Sequence, residues 1–322
     1  MAKVTVVIAP RERFSLTEAT LDLLLRTTTE PFDLLYVDEN SPRRIRRYLE
    51  RRARDKGFRL MRLPYFAPDT HVRNVALREV KTPYVLFIEN DILVRPGWLG
   101  ELLACAEQTK APVVGPLYLE QLNGEEFIHM AGGVNRVEEV DGARRCIERH
   151  HFPWRPVAEV AHELRRGLTE LIEFHCVLIR TDVLRELGGF DDGVKNTAQH
   201  VDFCLTLREA RQPIYLEPAS VVVYVQPPPY AWYDLPFYCT RWSDAWSRQT
   251  IEHLGRKWRL DPDDPFLSDK HRWTTTRRRQ ILLYFLARAR FPRVGGPAAT
   301  RRLTSVLDDW VGKTIARPAL AP

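Results

Sequence analysis

At 322 residues the chain is long enough to bury a substantial core, as one large or two modest domains. A hydrophobic share of 44% with 28% charged residues is that of an ordinary soluble globular protein. Five scattered cysteines with no CxxC pair argue against a disulfide framework and against a cysteine zinc site. The apolar run Ile281 to Ala287 falls far short of the ~20 residues a bilayer-crossing helix needs. Lys3 is followed at once by a strand-like run ending at Pro10, not by a signal-peptide core. The expected location is therefore cytoplasmic. A net charge of +6 suits an anionic partner. Nucleic acid, an anionic membrane surface and a sugar nucleotide all fit, so charge alone decides nothing.

The first hundred residues alternate strand and helix patterns. Val4 to Ile8 is a β-branched apolar run, as expected of a strand buried on both faces. Ser15-Leu16-Thr17-Glu18 has capping-box spacing, and Leu16, Ala19 and Leu23 recur at helical intervals. Asp33 to Val37 returns to strand and stops at Asp38. Ser41-Pro42 reads as a helix start, with Ser at N-cap and Pro at N1, followed by an arginine-rich helix to about Lys56. A short strand at Phe58 to Arg62, a helix at Val72 to Val80 and a strong strand at Tyr84 to Ile88 complete the series. Strands separated by single helices predict an α/β fold with a doubly wound, mostly parallel sheet. Ligands bind beyond the carboxyl ends of such strands, so Pro10-Arg11, Asp38-Glu39 and Glu89-Asn90-Asp91 are expected to converge on one crevice.

The middle, from about Pro112 to Asp192, is less regular. It contains Gly132-Gly133, the turn-like Asp141-Gly142 and a polar stretch, Arg144 to Arg155, that reads as a flexible loop. Glu173 to Arg180 reads as a strand, and Thr181 to Glu186 as a helix stopped by Gly188-Gly189. Gln199 to Ala210 follows as a helix and Pro218 to Val225 as a strand. Gln226-Pro227-Pro228-Pro229 is a stiff segment that marks a domain edge. The expected division is an α/β domain over 1–225 and an aromatic-rich, helical C-terminal extension over 226–322.

The chemistry centres on Glu89-Asn90-Asp91. Two carboxylates two residues apart at a strand end can share Mg²⁺ or Mn²⁺ and bridge it to a diphosphate, although acidic residues also end strands as ordinary loop residues. The surroundings sharpen this. Val4-Thr5-Val6-Val7-Ile8-Ala9-Pro10, Leu34-Leu35-Tyr36-Val37-Asp38-Glu39, Val72-Arg73-Asn74-Val75-Ala76-Leu77, Phe87-Ile88-Glu89-Asn90-Asp91, Leu187-Gly188-Gly189-Phe190-Asp191-Asp192 and Gln199-His200-Val201-Asp202 occur in that order. Over roughly residues 3 to 225 this series resembles glycosyltransferase family 2, with its A-type nucleotide-sugar fold.

The resemblance implies nucleotide contacts at Pro10, Arg11, Asp38, Glu39, Arg73, Glu89 and Asn90. Asp38 would meet the base, unless it serves only to cap a turn, and Arg73 would offset diphosphate charge, unless it is an ordinary helix arginine. Asp91 would be the principal metal contact, with Glu89 nearer the ribose or a metal-bound water. The resemblance further implies transfer of a sugar from a nucleoside diphosphate to a glycan, lipid-linked or small-molecule hydroxyl, with inversion. Such a transfer needs a base for the acceptor proton. Where the family carries a Glu-Asp pair this chain has Gln199-His200, leaving His200, Asp202, Asp191 and Asp192 as candidates. Where many relatives place a metal-ligating histidine this chain has Tyr224, a poor ligand while its phenol stays protonated.

In the C-terminal region Trp232, Tyr233 and Trp242 could stack on an acceptor sugar, although for each of them aromatic core between helices is the favoured reading. The arginine-flanked stretch Arg277 to Arg290 fits an amphipathic helix docked on its own domain, or one lying on an anionic membrane near a lipid-linked acceptor. Other readings are weaker. A catalytically impaired relative would bind a nucleotide sugar or glycan without turnover. A nucleotidyltransferase would need a glycine-rich loop that Ala9-Pro10-Arg11-Glu12-Arg13 lacks. No nucleic-acid-binding signature is present, so nucleic acid is not an expected partner.

Overall fold

The computed structural model describes residues 2–122, 124–225, 229–288 and 296–314. The first half runs β1 (Val4–Ala9), α1 (Thr17–Thr27), β2 (Asp33–Glu39), α2 (Arg43–Lys56), β3 (Arg59–Leu63), α3 (Asp69–Leu77) and β4 (Tyr84–Glu89). Then follow β5 (Ile92–Val94), α4 (Trp98–Thr109), β6 (Val113–Leu122), β7 (Glu125–Met130), β8 (Gly133–Val140), β9 (Ala143–His150), α5 (Val157–Val160), β10 (Gly167–Thr169) and β11 (Cys176–Arg180). The chain continues through α6 (Thr181–Glu186), α7 (Gln199–Glu209), β12 (Ile214–Tyr224), α8 (Leu235–Arg241), α9 (Asp244–Trp258), α10 (Pro265–Arg288) and α11 (Gly296–Thr314).

The main sheet has the strand order β10-β12-β6-β11-β4-β1-β2-β3, with β5 beside β12 and β7 beside β6. β1 pairs in parallel with β2 and β4, β2 with β3, and β6 with β12. β11 is antiparallel to both β4 and β6, and β10 to β12. Along that path only β10 and β11 run against the rest, so the sheet is mostly parallel, as the alternating pattern predicts. Every residue of β1 is buried, as its apolar, β-branched run requires, and the one polar side chain in it, Thr5, is hydrogen-bonded to Thr82. Pro218, which has no N–H to give, falls where the pairing of β12 with β6 shifts register between Glu217 and Val221.

Three local expectations are corrected. The Ser15 capping box does not form; α1 starts at Thr17 with no side-chain cap. Ser15 Oγ instead donates to the Pro229 carbonyl, and the backbone N–H groups of Phe14 and Ser15 donate to Asp234. Helix α2 begins one residue later than expected, because the Ser41 N–H donates to Asp38 Oδ1 in a turn before the helix. The stretch Arg144 to Arg155 is no loop in its first half: β9 pairs residue for residue with β8 across the turn Asp141-Gly142. Both turn residues have positive φ, 53° and 77°, as a two-residue hairpin demands.

The five cysteines are free and buried. The segment 226–228, read as a domain edge, lies outside the described residues, as do the last two residues of the stretch 277–290. Within that stretch Arg277 and Arg278 are buried, pairing with Glu12 and with Asp244 and Asp308. These two arginines therefore face the protein. Among the described residues no helix is long and apolar enough to cross a membrane.

Candidate functional site

Beyond the end of β1 the chain turns through Arg11, Glu12 and Arg13, and all three side chains are anchored. Glu12 is buried and accepts from Arg277 Nη2 at 2.8 Å and Trp242 Nε1 at 2.9 Å. Burial opposes its charge, but Arg277, Arg13, Arg11 and Arg241 outweigh burial and draw the carboxyl down to about 2. This one carboxylate fastens α8 and α10 to the sheet. Asp234 adds a second fastening through Phe14 N at 2.7 Å and Ser15 N at 3.2 Å.

Beyond β4, Glu89 and Asp91 are buried and already paired. Glu89 Oε2 lies 2.7 Å from His175 Nδ1, and its Oε1 lies 3.3 Å from Arg11 Nε and 3.9 Å from Arg73 Nη2. Burial raises the Glu89 carboxyl, yet Arg11 and His175 hold it well below the ordinary range. Asp91 Oδ2 accepts from Arg13 Nε at 2.7 Å and also pairs with Arg13 Nη2, while its Oδ1 is buried with no partner. Asn90 turns inward, its amide donating to the Arg13 carbonyl and Thr17 Oγ1.

The other predicted nucleotide contacts hold the framework. Asp38 is buried between the Ser41 N–H and Arg62 Nη1, 2.9 Å away. Glu39 accepts from Ala67 N, and burial pushes its carboxyl well up. Arg73 is 1% exposed; its Nε donates to both Asp69 oxygens at 2.9 Å, its Nη2 donates to the Phe174 carbonyl, and its guanidinium lies over the Phe87 and Phe174 rings. Asn74 clamps the following loop through Phe190 N, Phe190 O and Asp192. At Gly189, with φ +87°, a Cβ would sit 2.5 Å from Asn74 Oδ1, so glycine is required there.

A cavity of about 1110 Å³ opens where these strand ends meet the C-terminal helices. Arg11, His129, Glu173, His175, His200 and Tyr224 line the sheet side, and Trp242, Lys270 and Arg277 the helical side. Of the four candidate bases only His200 faces this cavity; its Nε2 lies 3.2 Å from Glu148 Oε1 and 3.5 Å from Glu173 Oε1. Asp191 and Asp202 share Lys257, each at 2.8 Å, and Asp202 also accepts from Trp258 Nε1. They line a separate pocket of about 230 Å³. Asp192 is on the surface, bonded to Asn74 and 3.3 Å from His71. Of the expected acceptor aromatics Trp242 lines the large cavity, whereas Trp232 is 75% exposed and Tyr233 lies beside it. Burial pushes the Tyr224 phenol up to about 12, so it stays protonated, and its ring stacks on His175 at 4.3 Å.

The sequence reading passed over His129, Glu120, Glu148, His150, Glu173 and His175. A signal was available: Glu148-Arg149-His150 and Glu173-Phe174-His175 repeat one Glu-x-His spacing, and extended chain puts residues i and i+2 on the same face.

Residues 5–188, more than half the chain, match the family described as Glycosyl transferase family 2. The chain belongs to that family. It is 29% identical over 216 residues to the O-antigen biosynthesis protein RfbC of Myxococcus xanthus, covering 64% of this chain and 16% of that one. It is 25% identical over 161 residues to the pre-mycofactocin glycosyltransferase of Mycobacterium tuberculosis, covering 50% of this chain and 31% of that one. This family 2 chain thus spans under a third of the length of these curated relatives. A crystal structure of GalNAc-T7 with UDP, GalNAc and Mn²⁺ superposes with a TM-score of 0.54 at 14% identity, over 86% of this chain and 56% of that one. That likeness shows a shared A-type glycosyltransferase fold.

The family's fold implies a divalent cation at the end of β4, and the donor atoms there decide whether one fits. Both Glu89 oxygens face arginine or histidine, and one Asp91 oxygen is held by Arg13. Only Asp91 Oδ1 is free, a single protein oxygen that could hold a cation only together with the phosphates of a bound donor. In this structure Arg11 and Arg13 supply the positive charge beside the two carboxylates.

Proposed function

We propose that this chain transfers a sugar from a nucleoside-diphosphate sugar to an acceptor hydroxyl, with inversion, inside the 1110 Å³ cavity. The observation that carries the reading is the meeting of Arg11 and His200 on one cavity wall, at the carboxyl ends of a family 2 sheet. Residues 1–225 hold the donor, and 226–322 close the acceptor side through Trp242 and its neighbours. The acceptor is a glycan or a lipid-linked or small-molecule alcohol.

In the reaction the acceptor oxygen attacks the anomeric carbon as His200 takes its proton. The bond from that carbon to the diphosphate breaks, and the electron pair leaves on the phosphate oxygen. Arg11 and Arg277 face the cavity and stabilise the charge gained by the departing diphosphate. Glu148, 3.2 Å from His200 Nε2, orients its ring. The test is incubation with UDP-, GDP-, dTDP- and ADP-sugars, reading release of the nucleoside diphosphate. Release from one donor, lost in His200→Ala with donor binding retained, supports the reading; release undiminished in His200→Ala removes His200 as the base.

One observation favours a second reading, binding without turnover. Glu89 and Asp91 are 2% and 1% exposed and paired with arginines, so a donor that binds here meets no carboxylate pair at the end of β4. Donor binding with no release of diphosphate in the same assay would select it.

A further inference from the structure

Four of the chain's nine histidines, His129, His150, His175 and His200, line one cavity. Among the described residues two groups bring three ligating atoms within 4.8 Å of one another: His129 with Glu173 and His175, and Glu148 with His150 and His200. The two groups differ in their surroundings. Lys270 Nζ lies 2.5 Å from Glu148 Oε2, so an ammonium already neutralises the carboxylate of the second group. Among the described residues no lysine or arginine pairs with the carboxylate of the first group; Glu173 Oε1 faces His129 and His200, at 3.9 and 3.5 Å, and its Oε2 accepts from the Phe174 N–H at 3.2 Å.

Both histidines of the first group are oriented from behind. His129 Nδ1 lies 2.6 Å from Glu120 Oε1, and His175 Nδ1 lies 2.7 Å from Glu89 Oε2. In a neutral imidazole a carboxylate on Nδ1 fixes the tautomer, raises ligand basicity and leaves Nε2 as the nitrogen that gives a lone pair, the arrangement found behind metal-bound imidazoles. Burial lowers the His129 pKa but Glu120 and Glu173 push it up to about 9, so a metal displaces its Nε2 proton on binding. His129 Nε2 is buried and has no hydrogen-bond partner. The Tyr224 ring, stacked on His175 at 4.3 Å, holds that imidazole in place from the side. A metal about 2.0–2.2 Å from each tetrahedral ligand sets neighbouring ligand atoms roughly 3.3–3.6 Å apart. The 3.9 Å from His129 Nε2 to Glu173 Oε1 therefore needs to close by only a few tenths of an ångström.

We propose that His129, Glu173 and His175 form a binding site for a divalent transition metal of the zinc class, with its fourth position open to the cavity. Two imidazoles and one carboxylate suit Zn²⁺ or Co²⁺ and disfavour Mg²⁺, which takes oxygen ligands. The site stands beside the β4 carboxylates, not on them: Glu89 orients a ligand, and Asp91 takes no part. The proposal rests on the histidine cluster alone and survives if no nucleotide sugar is turned over.

The test uses the full chain, stripped with chelator and dialysed, without nucleotide. Zn²⁺ and Co²⁺ are titrated by calorimetry, Co²⁺ also by its visible absorption, with Mg²⁺ as contrast. The expected result is one equivalent of Zn²⁺ or Co²⁺ with a tetrahedral Co²⁺ spectrum and no comparable Mg²⁺ binding. Glu173→Gln and His129→Ala should each abolish the spectrum. Glu120→Gln, which removes only the orienting carboxylate, should weaken binding roughly ten- to a hundredfold. Glu148→Gln should leave it intact. Circular dichroism checks that each variant folds; if His129→Ala does not, the near-isosteric Glu173→Gln and Glu120→Gln decide. Absence of Zn²⁺ and Co²⁺ binding to the folded wild type overturns the proposal, as does full binding in Glu173→Gln. Loss confined to Glu148→Gln overturns this ligand set in favour of the second group. Failure of the transferase reading shows separately, as no nucleotide binding.

Discussion

Glu12→Gln removes the one negative charge on which Arg277, Trp242 and Arg241 converge at 2.8, 2.9 and 3.9 Å, while keeping the shape of the side chain. Glu12 and Arg241 are each 1% exposed, so the arginines left behind cannot recruit water cheaply. Breaking a buried ion pair from one side costs about 3–5 kcal/mol, and in a chain of this size that lowers the melting midpoint by about 5 °C. The pH dependence fixes the cause. The Glu12 carboxyl sits at about 2 in the folded protein and at about 4.3 in an unfolded chain. A depressed folded value contributes stability that is complete above the unfolded value and is lost as pH falls through the folded one. The shift of roughly two units corresponds to about 3 kcal/mol, in line with the cost above. Melting of wild type and variant is followed by intrinsic fluorescence from neutral pH into acid. The gap between them should be widest at neutral pH and narrow between about pH 4 and 2. A variant that melts with the wild type, or a gap indifferent to acid, refutes the assignment of Glu12 as the fastening between sheet and C-terminal helices.

Gly189→Ala places a Cβ 2.5 Å from Asn74 Oδ1 at a φ of +87°, and should lower stability by about 1–3 kcal/mol; urea unfolding measures it, and wild-type stability would show that the Asn74 clamp yields freely. Asp234→Ala strips the acceptor from the N–H groups of Phe14, Ser15 and Ala231, at a cost of about 1–3 kcal/mol. Hydrogen exchange at Phe14 and Ser15 should quicken well before exchange in β1 does. His200→Ala should lower sugar transfer about 10²- to 10⁴-fold while leaving donor affinity unchanged. A matching loss of affinity would make His200 a binding group, not a base.

The sheet was readable because its central strands are buried on both faces, so Val4 to Ile8 and Tyr84 to Ile88 stand out as largely apolar runs. The hairpin β8–β9 was half legible. Asp141-Gly142 announced its turn, but β9 buries only Cys146 fully, so its strand looked like a polar loop. The start of α1 misled because its donors are satisfied by Asp234, 219 or 220 residues away, which no local pattern reveals. The site was legible as an address but not as a set of contacts. Glu89 and Asp91 stand at the expected strand end, yet their arginine and histidine partners come from the β1 loop and from the residue before β11. The four cavity histidines come from β7, β9, α7 and the residue before β11, and only the folded sheet gathers them.

The most direct test of the central claim is calorimetric titration of the purified chain with UDP, GDP, dTDP and ADP, each with and without Mn²⁺. The account predicts that one diphosphate binds at one equivalent and that Arg11→Ala weakens it by roughly tenfold or more, the worth of a lost charge-assisted hydrogen bond. Heat no greater than dilution for all four, in either condition, would contradict a nucleotide-sugar site in this cavity.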